Sequence, residues 1–365
     1  MTKTILSVVG ARPNFLKLAP LDQEFLKHHD RLRSRIVHTG QHYDASMSDA
    51  FFRDLELPKA DFHLEAGSAS HSVQTARVMM RFEEVVQSVR PDWVVVFGDV
   101  NSTLACALVC AKEHVSLAHV EAGLRSFDRR MPEEINRLLT DQVSDLLFVT
   151  ERAGVENLLR EGVAPDRVHL TGNIMIDALM LFEAKADRSP ILQALRIQPR
   201  NYFVMTLHRA ANVDSRETLA QLVNLIGRIG TRRPLVFPVH PRTSRKLEEF
   251  GFLDELRSAP GVQLTEPLGY LDFLCLTKNA RGVISDSGGI QAETTHLNVP
   301  CLTLRKETEQ PVTVDLGTNT LVHFDFEEVL QWVDRVCEGN GKRAQPIPYW
   351  DGRTAERITG VLLEH

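Results

Sequence analysis

The strongest constraint on the fold is an alternation that runs along most of the chain, short β-branched stretches separated by amphipathic ones. Apolar runs fall at Ile5 to Val9, Ile36 to His38, Trp93 to Phe97, Leu117 to Val120 and Leu146 to Val149. Helical patterns over Ala69 to Val89, Ser102 to Lys112 and Glu133 to Val143 lie between them. A second series places strands at Tyr202 to Thr206, Leu235 to Val239, Val262 to Leu264, Val283 to Ser285 and Cys301 to Leu304, with helices over Glu217 to Ile229, Thr243 to Leu256 and Ile290 to Leu297. Strands that alternate with helices build βαβ units, because parallel neighbours need a crossover long enough to return the chain. The pattern predicts an α/β protein with two doubly wound, Rossmann-like sheets. At 365 residues and 43% hydrophobic content, the chain can fill two cores. The polar stretch Glu183 to Asn201, which holds two prolines, predicts a hinge between about Gly172 and Arg200.

Charge narrows the class of partner. The net charge is −6 and the pI about 6.2, with Lys and Arg scattered, so neither nucleic acid nor an anionic membrane is expected as a partner. The N-terminal apolar stretch is too short for a signal-peptide core and no run approaches a membrane span, which predicts a cytoplasmic protein. Five cysteines show no paired CxxC, and no His, Cys and Asp cluster has metal-site spacing, so no metal is expected.

In doubly wound folds ligands gather at the carboxyl ends of strands, and domain boundaries favour pockets. Chemically capable residues follow the predicted strands: Arg12, Asp99, Glu121, His208, His240 and Ser287. In "SDSGGIQAE", Ser287, Gly288 and Gly289 open a helix, where bare N–H groups and the helix dipole favour an anion, and Glu293 supplies an acceptor for sugar hydroxyls. The alternative is a tight strand-to-helix turn capped by Asp286. In "VVGARPNFLKLAP", Arg12 and Lys17 can face a phosphate at a helix mouth; otherwise Arg12 pairs with a structural carboxylate and Lys17 is solvated. Asp99 in "FGDVNST" is either a reacting acid or a helix N-cap. Glu121, at a buried strand end, needs a partner or a raised pKa. In "MPEEINR" a helix starts at Pro132 and sets Glu133 and Arg137 at i,i+4. "TLHRAAN" adds His208 and Arg209, and "PVHPRT" adds a rigidly presented His240. Phe273, in a helical pattern, is a core residue unless it stacks on a base. Three carboxylates, Asp99, Glu121 and Glu133, beside phosphate-binding groups suit proton transfer at a carbon whose neighbour bears a phosphate leaving group.

The ordered segments "GARPNFLKLAP", "TGQHYD", "GDVNSTLA", "HVEAGLRS", "MPEEINR", "TLHRAAN" and "SDSGGIQAE" resemble the non-hydrolysing UDP-N-acetylglucosamine 2-epimerases, from Val9 to about Val322. The resemblance implies a cytoplasmic, homodimeric GT-B enzyme of polysaccharide biosynthesis. It would have an N-terminal domain over 1–171 with a returning helix at 350–365, and a UDP-binding domain over 172–349. It implies inversion at C2 of UDP-GlcNAc through 2-acetamidoglucal, without cofactor or metal. By the same resemblance Asp99, Glu121 and Glu133 match the acid and base carboxylates, and His208 a catalytic diphosphate ligand. Arg12, Lys17 and Arg137 match further active-site positions, Ser287, Gly288, Gly289 and Glu293 the UDP loop, and Phe273 a position beside uracil; Arg209 and His240 stand as substrate-binding candidates on their strand-end positions alone.

Gln41 and His42 resemble a segment with which some members bind a second, activating UDP-GlcNAc, but Asp44 departs from the glutamine found there. "RPN", "HRAAN" and "TEQPV" also depart from the commoner "RPE", "HRREN" and "TERPE". Gln310 thus lacks a charged fork. These departures leave a 3-acetamido or uronic-acid form of UDP-GlcNAc as an alternative substrate; independently of them, a GT-B glycosyltransferase using the same UDP cleft is an alternative activity.

Overall fold

The computed structural model describes residues 2–40, 59–323 and 325–365. The chain divides into two compact units, Met1–Leu181 with Pro348–His365, and Phe182–Ile347. The division falls inside one helix, Ile174–Ala186.

The first unit is built on a parallel sheet of β1 (Lys3–Val9), β2 (Leu32–His38), β3 (Phe62–His63), β4 (Trp93–Phe97), β5 (Ser116–Ala122), β6 (Leu146–Val149) and β7 (Val168–Leu170), in the order β3-β2-β1-β4-β5-β6-β7. The sequence Trp93-Val-Val-Val-Phe97 is buried along its whole length because helices cover both faces of a parallel sheet. Leu6, Val8, Val94 and Val96 pack there against Val78, Phe82 and Val85 of the helix His71–Val89. The order reverses between β1 and β4, the place where doubly wound sheets leave a crevice at their carboxyl ends. Gly10 and Asp99 lie just beyond those two ends.

The second unit repeats the plan with β8 (Phe203–Thr206), β9 (Leu235–Pro238), β10 (Val262–Thr265), β11 (Gly282–Ser285), β12 (Cys301–Thr303) and β13 (Asn319–Leu321), in the order β10-β9-β8-β11-β12-β13. Here the switch lies between β8 and β11, so His208 and Ser287 flank it. The helix expected over Thr243 to Leu256 is two helices, Pro241–Phe250 and Leu253–Ser258. Gly251 stands between them at φ 77°, a left-handed stop that glycine takes without strain.

The terminal helix Thr354–Glu364 belongs to the first unit, against Arg12–Lys27. Lys3 Nζ donates to the Leu362 and Leu363 carbonyls, each at 3.1 Å, and Trp350 Nε1 donates to the Thr150 carbonyl at 3.0 Å. Ala355 N–H donates to the buried Asp177 at 2.8 Å. Among the described residues, no helix is long and apolar enough to cross a membrane.

Candidate active site

At the β1/β4 switch the helix Arg12–Lys27 begins with Arg12, Pro13 and Asn14 in its first turn. Asn14 Oδ1 accepts the Gly10 and Ala11 N–H groups at 3.2 and 2.9 Å, while its Nδ2 donates to the Phe97 carbonyl at 3.0 Å. That last bond needs a donor, which a glutamate at this position would lack. Three residues on, Lys17 forms a short ion pair with Glu121. Lys17 is therefore a buried partner of a carboxylate, not a solvated surface lysine. Glu121 itself occupies φ 75° at a bulge where the β5–β6 register slips between Val120 and Ala122. A side chain held in the left-handed region costs about 1–3 kcal/mol and persists where surrounding contacts impose it.

Asp99 follows Gly98, whose φ is 63°. A β-carbon on Gly98 would lie 2.9 Å from Lys17 Nζ and 3.1 Å from Glu121 Oε2, so the carboxylate–ammonium pair packs directly on the turn that carries Asp99. Asp99 caps no helix. Its carboxylate takes a 2.5 Å ion pair from Arg137, and its carbonyl accepts Asn136 Nδ2 at 2.8 Å. Spacing singled out Glu133 as the i,i+4 neighbour of Arg137; the structure adds Glu134, bonded to Arg137 at 2.7 Å. Glu134 is 1% exposed and also accepts Ser126 N–H and Phe127 N–H, both at 2.9 Å. Sequence reasoning passed over it, although the tandem Glu133-Glu134 offered the i,i+3 spacing. Glu133 is half-buried on the same helix, Pro132–Val143.

At the β8/β11 switch the buried Asp286 does not cap the following helix either. It accepts the N–H groups of His208 (3.1 Å) and Arg209 (2.9 Å) and Asn212 Nδ2 at 2.9 Å, and it lies 3.1 Å from His208 Nδ1. Burial alone would raise its pKa, but these donors and the His208 charge together hold it below the usual carboxylate range. With Nδ1 engaged, Nε2 is the His208 nitrogen that can meet a ligand. The His240 ring lies 5.3 Å from that of His208. His240 caps its own helix, its Nδ1 accepting Arg242 N–H at 3.2 Å.

Beyond β11, Gly289 opens the helix Gly289–His296 after Gly288 as N-cap, and apart from its chain neighbours and its own helix backbone no described atom lies within 4 Å of where a Gly289 β-carbon would sit. Glu293, one turn in, is buried and its carboxyl is pushed up to about 7 by desolvation. The buried Arg305 and Glu309 form a two-pronged pair at 2.7 Å close to Gly288, and Arg209 lies 3.7 Å from Glu309. Gln310 is buried beside them, its side-chain oxygen without a hydrogen-bond partner among the described residues. Phe273 packs half-buried against the core formed by Tyr202, Val204 and Leu276. Gln41 and His42 lie outside the described residues. Among the described residues no group of three His, Cys, Asp or Glu side chains could hold a metal ion.

Two Rossmann-like units, one with cation-held carboxylates at its switch point and the other with a glycine-opened helix at its own, define a sugar-nucleotide enzyme of the GT-B type. The chain belongs to the UDP-N-acetylglucosamine 2-epimerase family, whose model matches residues 24–363. It is 40% identical to a UDP-N-acetylglucosamine 2-epimerase of Methanococcus maripaludis, over 98% of this chain and 97% of that one. It is 41% identical to a UDP-2,3-diacetamido-2,3-dideoxy-D-glucuronate 2-epimerase of Pseudomonas aeruginosa, over 99% of both. The crystal structure of the Methanocaldococcus jannaschii UDP-GlcNAc 2-epimerase in complex with UDP-GlcNAc and UDP superposes with a TM-score of 0.89 at 40% identity, covering 99% of this chain and 100% of that one.

Proposed function

We propose that the protein inverts C2 of UDP-GlcNAc, giving UDP-ManNAc, by eliminating UDP and adding it back. A carboxylate takes the C2 proton; the C–H electrons form the C1=C2 double bond and the C1–O bond breaks, releasing the UDP anion and 2-acetamidoglucal. Return of a proton to the opposite face of C2, with re-addition of the diphosphate oxygen to C1, completes the inversion. The C2 proton is weakly acidic, so departure of a stabilised diphosphate must accompany its removal.

The observation that carries this reading is the pairing of Asp99 and Glu121 at neighbouring strand ends, each against a buried cation, Arg137 and Lys17. The two ion pairs fix the carboxylates in place at the strand ends, where an acid and a base for C2 are needed. Glu133 joins them as the third acid or base. His208, through Nε2, and Arg209 bind the diphosphate, with Arg12 as a further anion ligand. Ser287, Gly288 and Gly289 receive phosphate oxygens at the helix mouth, Glu293 holds the ribose and Phe273 lies beside uracil. The assembly is read as a homodimer acting in polysaccharide biosynthesis, a state that light scattering of the purified chain checks. Incubation with UDP-GlcNAc in heavy water should place deuterium at C2 of both epimers; acceptor-dependent UDP release without exchange would instead mark a transferase.

A second reading, 2-epimerisation of a 3-acetamido or uronic-acid form of UDP-GlcNAc, is favoured by the 41% identity to the diacetamidoglucuronate enzyme and by the uncharged Gln310. Proton NMR with a panel of UDP sugars separates the two by rate.

A further inference from the structure

Asp99 stands on the turn after β4 and Glu121 at the bulged end of β5, and a buried pair of side chains joins the two segments. His119, within β5 and 0% exposed, places Nε2 2.8 Å from the Gly98 carbonyl and Nδ1 2.7 Å from Asp141 Oδ1. Asp141, on the helix Pro132–Val143 and also 0% exposed, accepts Gly123 N–H at 3.1 Å and an ion pair from Arg125 at 2.7 Å through its other oxygen. One end of the chain of bonds therefore holds the peptide before Asp99, and the other holds the peptide two residues after Glu121.

Hydrogen accounting fixes the character of the bridge. A carbonyl only accepts, so Nε2 carries the hydrogen of that bond, and Nδ1 shares a hydrogen with Asp141 Oδ1. Burial pushes Asp141 up, but the hydrogen bond and charge of His119, together with Arg125, outweigh it and hold the carboxyl below its usual range. Arg125 is neutralised in turn by Glu161, at 2.6 Å.

We infer that His119 and Asp141 are positioning residues: their bridge from the Gly98 carbonyl to the Gly123 amide sets the spacing of Asp99 and Glu121 for proton transfer at C2. The inference rests on the epimerase reading. Two features separate a brace from ordinary packing. Apolar side chains of similar volume would fill the same space without burying charge, so the bonds are needed for something other than bulk. The backbone it holds is also left-handed, at φ 63° in Gly98 and 78° in Gly123, which glycine takes without strain, and at 75° in Glu121, two residues before the second attachment, where the side chain makes it strained. Local preference does not keep a glutamate there, so an external tie must.

The test compares His119→Gln and Asp141→Asn with Phe82→Leu, a core variant of the same unit chosen to lower Tm by a similar amount. C2 exchange is followed alongside the share of turnovers that end as free UDP and 2-acetamidoglucal. Misplacing the two carboxylates should lower kcat for exchange by about 100-fold. KM should stay within about twofold and the released glucal should rise, whereas Phe82→Leu keeps the wild-type partition. Exchange and glucal release in both bridge variants equal to those of Phe82→Leu would overturn the brace. Should the variants fail to fold, nitrogen-15 spectra of the wild-type histidines decide: His119 Nε2 should carry hydrogen, and a bare Nε2 would sink the bridge. A wild-type enzyme that exchanges deuterium on none of the UDP sugars refutes the epimerase reading itself, whereas active wild type with unaffected bridge variants refutes only the brace.

Discussion

The Lys17 ammonium rests on the Glu121 carboxylate, with the two side chains only 8% and 13% exposed. Removing one partner of such a pair leaves the other charge buried alone, a loss of about 3–5 kcal/mol. Lys17→Met should therefore lower the urea midpoint and C2 exchange together. Adding Glu121→Gln to it should restore much of the stability and none of the exchange. Recovery of exchange in the double variant would remove Glu121 from the chemistry.

Asp99 reaches the rest of the unit through Arg137, which keeps a second bond to Glu134. Asp99→Asn preserves shape and takes away the proton acceptor. Deuterium incorporation at C2 should fall below detection, while UDP affinity by calorimetry stays within about twofold, because uniform binding and proton transfer are separable.

Gly98→Ala is expected to act through the same place by sterics. The left-handed φ alone costs about 1–2 kcal/mol, and the new methyl would press on Lys17 Nζ and Glu121 Oε2. The measured result should be a small drop in Tm with a much larger drop in kcat.

Glu293 carries a pH signature. Its folded-state pKa, about 7, lies above the ordinary value of 4.5. A raised carboxyl contributes most below pH 4.5, and that contribution is lost as pH rises to about 7, since the unfolded chain ionises first. Glu293→Gln should thus gain on wild type across this window, by about 3 kcal/mol at pH 8, in melts at matched pH. Glu293→Ala should weaken UDP binding by ten- to a hundredfold, about 1.5–3 kcal/mol for a hydrogen bond to a charged group.

The central strands were legible because fully buried parallel strands leave continuous apolar runs, as at Trp93 to Phe97 and Val283 to Ser285. The edge strands β3, β7 and β13 were not. Two or three residues with one-sided burial leave too short a pattern, and Asn319-Thr320-Leu321 does not announce a strand at all. Position relative to strand ends pointed to Asp99, Glu121 and His208, whereas their partners depend on contacts between elements distant in sequence. Glu121 meets Lys17 across 104 residues, and Asp286 holds His208 across 78. No local signal says that Asp286 serves the loop after β8 instead of its own helix. Gly251 is the opposite case, a stop visible in the letters but overridden by the amphipathic pattern on either side.

The first unit ends with Pro348–His365, so the second is an insertion within it. During synthesis on the ribosome, residues 182–347 can collapse while the earlier unit still lacks its closing segment. Trp350 has yet to reach Thr150, and the buried Asp177 still waits for the amide of Ala355. Completion of the first unit therefore waits on a segment made after the whole of the second, and a truncation before Trp350 damages the half that was translated first.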